Sequence, residues 1–399
     1  MKREMASDSN DLVSDIVGAS TYDFPVTPPK KQFKPWHKPR KQFVRDKQWR
    51  RNIISLLPLL NPRVSQVENF NTISYLGLPG TDLLDIRYFL DTVCTPKNIR
   101  FRFLGFDKAA GPKSKENSEL NVSLDEVRKH PLVDEQSNVI VDEFFKIGNS
   151  KTMAYRSVKD AGPFDIVNID LCDGFAKDQP QVDDTLYNAV NMLMNIQARR
   201  SAPWLFLLTT KVSRSDIHGE TLELFLKRYL RNLAEGEKFR EVSAEYLSIG
   251  TEEEMRKTIQ SEKGLADVAL TGLCKWLFGF AVTQKPPSNA KLENIVGYKI
   301  GDSETMNMVS LAIRFTPLSL LSYDPGGLSA ESSETPKECE LASKLPAPIT
   351  NRADVDELLG ENSGLFKEMV DKQADLLEEA RYDKGAYYAW VEGGCKPNN

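Results

Sequence analysis

Short apolar runs alternate with longer stretches whose apolar residues recur every third or fourth position. The runs are TISYLGL (72–78), IRFRFLGFD (99–107), NVIVDEF (138–144), FDIVNIDL (164–171) and PWLFLLTT (203–210), all rich in β-branched and aromatic residues. They predict strands. The stretches between and after them begin at Thr81, Ser123, Ser150, Thr185 and Ser215 and predict helices. In the last of these, Leu222, Phe225, Leu226, Tyr229, Leu230 and Leu233 share one helical face. Strand and helix alternating five times demand parallel strands joined by right-handed crossovers, because each helix must carry the chain back across the sheet. The expected fold is a doubly wound, Rossmann-like α/β sheet.

After residue 236 the pattern changes. Helical stretches at 252–262 and 265–278 precede NIVGYKIGD and MNMVSLAIRFTPL, two strand-like runs that predict an antiparallel hairpin at one edge of the mainly parallel sheet. Upstream, Phe43, Trp49, Ile53, Ile54 and Leu57 predict a helix that Pro58 stops. The expected organisation is a disordered, basic N-terminal arm (1–41), the sheet domain (42–322), a linker or long loop rich in Pro, Gly, Ser and acids (323–350), and a helical tail (351–399). In the tail, Phe366, Met369, Val370, Gln373, Leu376, Leu377 and Ala380 fall at helical spacing.

A chain of 399 residues with 40% hydrophobic and 27% charged content can build a large core. Its sequence has no apolar run of the ~20 residues that span a bilayer and no apolar segment of a secretory signal, so a cytoplasmic protein without a membrane segment is expected. Five scattered cysteines suit neither a disulfide framework nor a paired-cysteine zinc site. With only His37, His130 and His218, mechanisms built on histidine pairs have few candidates.

The net charge is −5, yet Lys30–Arg51 holds ten Lys or Arg and one acid, Asp46. Aromatic residues interleave with these cations, a mixture that neutralises phosphates while stacking on bases. Lys34, Trp36, Lys38, Arg40, Lys41 and Arg45 are therefore candidate nucleic-acid-binding residues. A solvated arm, or one recruited by an acidic protein surface, reads the same charges differently.

In open parallel sheets the ligand crevice lies beyond the carboxyl ends of the strands, where strand order reverses. The first strand ends in YLGLPGTD, where Gly77 and Gly80 allow close backbone approach and Thr81 or Asp82 can cap the next helix. Asp107 ends the second strand, 27 residues after Gly80, where a carboxylate can accept two hydrogen bonds from a ribose diol. Asp142 follows the third strand, in reach of an adenine ring or of a helix cap. Asp170 and Asp173 close the fourth and are expected to face the same crevice.

This order of features resembles the class I S-adenosylmethionine-dependent methyltransferases over roughly residues 70–317. That family has a glycine-rich turn after strand one, an acid ending strand two, an acid after strand three, a reactive motif ending strand four and a final antiparallel hairpin. The resemblance implies S-adenosylmethionine held by Gly77, Gly80, Asp107 and Asp142, with Asp170 or Asp173 at the methyl acceptor. The turn departs from the family in having Tyr75 before Gly77 and Gly80, where an acid precedes a glycine triplet. The motif NIDLCDGF also lacks the Asp/Asn-Pro-Pro-aromatic sequence of amino-methylating DNA enzymes, so Asp170 is closer to the acid of small-molecule O-methyltransferases, where a metal can assist. Two further readings stand beside an active enzyme. One is a catalytically inactive methyltransferase-like subunit that docks nucleic acid within a larger assembly. The other is a nicotinamide-dependent oxidoreductase, whose Gly-x-Gly-x-x-Gly fingerprint is missing.

Overall fold

The computed structural model describes residues 29–60, 72–108, 115–301, 303–318 and 336–396. The expected disorder of 1–28, and 323–335 of the expected linker, lie outside the described residues.

Along the chain come α1 (Pro39–Phe43), a π-helical stretch (Val44–Arg50), α2 (Arg51–Leu60) and β1 (Thr72–Gly77). Next are α3 (Leu84–Phe89), a second π-helical stretch (Leu90–Cys94), α4 (Thr95–Lys97), β2 (Arg100–Phe106), α5 (Lys115–Arg128) and β3 (Asn138–Ile140). α6 (Met153–Ala161), β4 (Ile166–Gly174), α7 (Leu186–Gln197) and β5 (Trp204–Lys211) complete the alternating part. Four helices follow, α8 (Gly219–Glu235), α9 (Glu237–Leu247), α10 (Glu252–Thr258) and α11 (Glu262–Thr283), then β6 (Ser288–Tyr298) and β7 (Met308–Pro317). The last elements are α12 (Glu338–Ala342), α13 (Pro346–Thr350), β8 (Ala353–Asp354), α14 (Val355–Glu361), α15 (Ser363–Glu379) and α16 (Lys384–Glu392).

The strands form one sheet in the order β3-β2-β1-β4-β5-β7-β6-β8. Strands β1 to β5 pair in parallel, and β7 runs antiparallel to both β5 and β6, as the predicted hairpin requires. The fold is the expected doubly wound α/β sheet. Alternate side chains feed two cores. Leu76, Val167, Ile169, Phe206 and Leu208 join α6, α7, α8 and α11 on one face. Ile73, Tyr75, Ile166, Leu205 and Leu207 join the N-terminal helices, α3, α5 and α15 on the other. Covered on both faces, β5 is buried at every position from Trp204 to Thr210, so it reads as an apolar run without alternation.

α11 is long and apolar enough by length and composition to cross a membrane, yet most of it is buried against α8 and the sheet, as a core helix is. The N-terminal helix runs through Pro58 to Leu60 instead of stopping before it. Pro58 falls in the final turn, where only one more residue pair of the helix follows and the lost N–H bond disrupts little. Residues 336–350, expected as linker, form α12 and α13, whose Leu341, Leu345 and Ile349 enter the core.

Residues 30–41 pack against the body and the C-terminal helices. Phe33 and His37 are buried among Tyr382, Tyr387 and Trp390, and the Tyr387 hydroxyl donates to the His37 carbonyl at 2.9 Å. Burial outweighs the pull of Asp82 and lowers the His37 pKa to about 3, so the ring is neutral.

Asp46 fastens the π-helical stretch to its neighbours, accepting from the Tyr88 hydroxyl at 2.6 Å and from Lys372 at 3.0 Å, with Lys47 at 2.9 Å. Burial works against its charge, but the hydrogen bonds from Tyr88, Lys47 and Lys372 prevail and lower its pKa from 3.8 to about 2. A depressed carboxyl pKa stabilises the fold above the unfolded value, and that stability is lost as pH falls through the folded one. Asp46→Asn is therefore expected to cost about 2 kcal/mol at pH 6, with the gap from wild type closing below about pH 4. Urea denaturation across that range measures it.

Candidate functional site

The sheet order reverses between β1 and β4, so the crevice opens beyond Gly77 and Asn168, which are paired across those strands. Gly77 is required here by a side chain of the protein itself: a Cβ at this position would strike the Tyr75 ring, which folds back over it. The Tyr75 hydroxyl accepts from Asn168 Nδ2 at 3.1 Å. Gly80 adopts φ +66°, the left-handed conformation that favours glycine, with open space where a Cβ would stand. Neither Thr81 nor Asp82 caps α3; Leu83 holds the cap position without a side-chain bond. Asp82 instead pairs with Lys30 and accepts from the Tyr382 hydroxyl at 2.8 Å, tying the turn to the N- and C-terminal segments.

Asp107 sits buried at the end of β2, and its N–H donates to the Ile140 carbonyl at 3.1 Å, which brings the ends of β2 and β3 together. Asp142 is engaged locally. It accepts from the Glu143 N–H at 2.8 Å and from Lys146 at 2.6 Å, the structural alternative to an adenine contact.

The two carboxylates closing β4 part company. The pairing of β4 with β5 is irregular between Asp170 and Gly174, and the strand there ceases to alternate regularly. Asp170 meets the Lys41 ammonium at 2.5 Å, and that ammonium lies 4.3 Å from the Trp49 ring centroid. Asp173 is half exposed. It accepts from the Gly174 N–H at 2.9 Å and from Lys177 at 2.7 Å, which with Lys211 hold its carboxyl below the ordinary range. Among the described residues the two acids share no hydrogen-bonding partner, and of the two Asp170 belongs to the buried network described next.

Arg45, one helical turn from Lys41, donates to Asp85 at 2.7 Å and to Gln373 at 3.0 Å. Asp85 is raised above the ordinary carboxylate range, first by burial and then by the nearby Asp170, against the pull of Arg45 and Lys41. Lys41, Arg45, Asp85 and Asp170 thus form a compensated charge cluster. Tyr75 and Tyr298 also feel the Asp170 charge, and burial above all raises both phenols. Several buried amide atoms have no partner among the described residues: both polar atoms of Gln42, Oε1 of Gln48, Oδ1 of Asn168 and Nε2 of Gln373. Among the described residues no three His, Cys, Asp or Glu converge to hold a metal.

The charge cluster corrects two of the residues expected to bind nucleic acid. Lys41 and Arg45 are buried and committed to Asp170 and Asp85. Arg40 pairs with Asp356 at 3.3 Å and donates to the Lys299 carbonyl. Lys34 and Trp36 stay exposed and Lys38 half-buried. Lys41 is the residue whose place at the crevice the sequence did not disclose, because its partner lies 129 positions away.

The sheet order, the switch point and the antiparallel hairpin define a Rossmann-like fold of the methyltransferase type. The chain belongs to the PP_RS20740-like family, which matches residues 30–392. No curated protein matches it in sequence. Among solved structures it is similar to a DszA carbon methyltransferase, with 11% identity, a TM-score of 0.32, and coverage of 67% of this chain and 53% of that one. The chain thus spans about half the length of that relative. A putative class I S-adenosylmethionine-dependent methyltransferase from Listeria monocytogenes is similar at 12% identity and a TM-score of 0.29, with 76% of this chain and 70% of that one covered. At such scores the fold stands on the strand order, not on these likenesses.

Proposed function

We propose that this protein binds S-adenosylmethionine at the carboxyl ends of β1, β2 and β4 and methylates an acceptor presented to Asp170. The observation that carries this is the placing of Asp107 just past the end of β2 and of Asp170 in β4 two residues beyond Asn168, the partner of the last residue of β1, on either side of the switch point. The chain's groups suit the cofactor. Asp107 offers a carboxylate for the ribose diol, the Gly80 turn is open, and Asn168 Oδ1 is a buried acceptor without a partner among the described residues. The cofactor would supply an electrophilic methyl group. The chain's part is to hold the ribose at Asp107, align the acceptor and take the acceptor's proton on the Asp170 carboxylate, whose direction Lys41 sets.

A second reading has one observation in its favour. Tyr75 fills the place of the family's acid and Lys41 already satisfies Asp170, an arrangement that suits a catalytically silent binding subunit. Nucleic acid as acceptor or partner rests on the exposed Lys34 and Trp36 beside Lys38.

Incubation with methyl-labelled S-adenosylmethionine, alone and with mixed nucleic acids, separates these readings. Label transfer that falls about a hundredfold or more in Asp170→Asn supports catalysis. Cofactor binding without transfer to any acceptor supports the silent subunit, and absence of both overturns the proposal.

A further inference from the structure

A cavity lies between α8, α11 and α12, on the sheet face that α6 and α7 also cover, and shares no residue with the crevice. Its volume is about 440 Å³, within the range of small-ligand sites. Arg228 and Arg231 of α8, Lys275, Trp276 and Phe280 of α11, and Glu338 of α12 line it.

Lys275 needs explaining. It is 2% exposed in the apolar second half of α11, and burial lowers its proton affinity. Its ammonium meets Glu338 at 2.9 Å and sits 5.4 Å from the Phe239 ring centroid. Glu338 is shared, since Arg231 approaches its other oxygen at 3.9 Å. Arg228 has no hydrogen bond or ion pair among the described residues, and Arg231 also approaches Glu235 at 3.8 Å, so the three cations of the lining face two carboxylates and keep a net positive charge. Beside these cations stand the half-buried rings of Trp276 and Phe280, edge to face at 5.0 Å.

Two guanidinium groups one helical turn apart can grip a phosphate, and a partly exposed indole beside them gives a base a surface to stack on. We infer that this cavity is a binding site for a phosphorylated nucleoside, with the phosphate at Arg228 and Arg231 and the base against Trp276 and Phe280. Glu338, shared by Lys275 and Arg231, disfavours a phosphate beside either of them and so places it towards the Arg228 side of the α8 rim. The same chemistry is offered by a free nucleotide or by one residue of a nucleic-acid strand.

Calorimetric titration of the full chain with uridine monophosphate, inorganic phosphate and a short oligothymidylate tests this without an adenosyl group that could enter the crevice. Saturable binding of uridine monophosphate is expected, stronger than that of phosphate. The surface double variant Arg228→Ala/Arg231→Ala should weaken it about tenfold or more, and Trp276→Leu about tenfold. Asp107→Ala should leave it unchanged, which separates this site from the proposed cofactor crevice. Oligothymidylate binding far tighter than the mononucleotide assigns the source to nucleic acid, and the reverse to a free nucleotide. Phosphate binding as tight as the nucleotide, no saturable binding of either nucleotide probe, or affinity untouched in the double arginine variant overturns the inference.

Discussion

Replacing Arg45 by methionine is expected to destabilise the protein by about 3–5 kcal/mol, the cost of leaving a buried charge without its partner. The charge in question is Asp85, whose side chain is 4% exposed and whose hydrogen-bonded cation is Arg45 at 2.7 Å. The variant also strips Gln373 Oε1 of its donor. The sign with pH follows from the environment of Asp85. Its pKa is raised in the fold, by burial first, and removing Arg45 raises it further. A raised carboxyl pKa favours the fold below the unfolded value, and that benefit is lost as pH rises through the folded value. The Arg45→Met defect should therefore be smallest in acid, where Asp85 takes up a proton, and largest at neutral pH. The double variant Arg45→Met/Asp85→Leu should recover most of the loss, because an apolar pair replaces both charges. Urea denaturation at pH 4 and pH 7 measures all three proteins. A defect below about 1 kcal/mol at pH 7 would show that solvent reaches this cluster.

β5 was legible because it is covered on both faces and so appears as an uninterrupted apolar run, while β1 and β2 begin with an alternation of apolar and polar residues. Charge was harder to read. Lys30–Arg51 resembles a solvated arm when its ten cations are counted locally, yet Asp85, Asp170, Asp356 and Glu368, which neutralise several of them, come from distant parts of the chain. Long-range pairing of this kind leaves no periodicity. The stretch 336–350 did carry a usable signal, since Leu341, Leu345 and Ile349 recur at every fourth position, but its prolines and acids masked it. At the site, the place of Asp107 at the end of β2 followed from strand position alone, whereas β4 runs past Asp170 to Gly174. The divergence of Asp170 from Asp173 did not follow, because it depends on the irregular pairing with β5.

Asp107→Ala is expected to abolish measurable binding of S-adenosylmethionine. Its carboxylate would accept both ribose hydroxyls, and hydrogen bonds to a charged group are worth about 1.5–3 kcal/mol each. Losing two predicts a weakening of a hundredfold or more. The backbone bond from the Asp107 N–H to Ile140 survives the substitution, so the ends of β2 and β3 stay joined.

Calorimetric titration of the 399-residue chain with S-adenosylhomocysteine, the demethylated product, tests the cofactor assignment most directly, because it asks for binding without requiring a known acceptor. Saturable binding by the wild-type protein that disappears in a folded Asp107→Ala variant is the predicted result. No binding by the wild-type protein, in conditions where an established methyltransferase binds the same ligand, or undiminished binding by the variant, would contradict it.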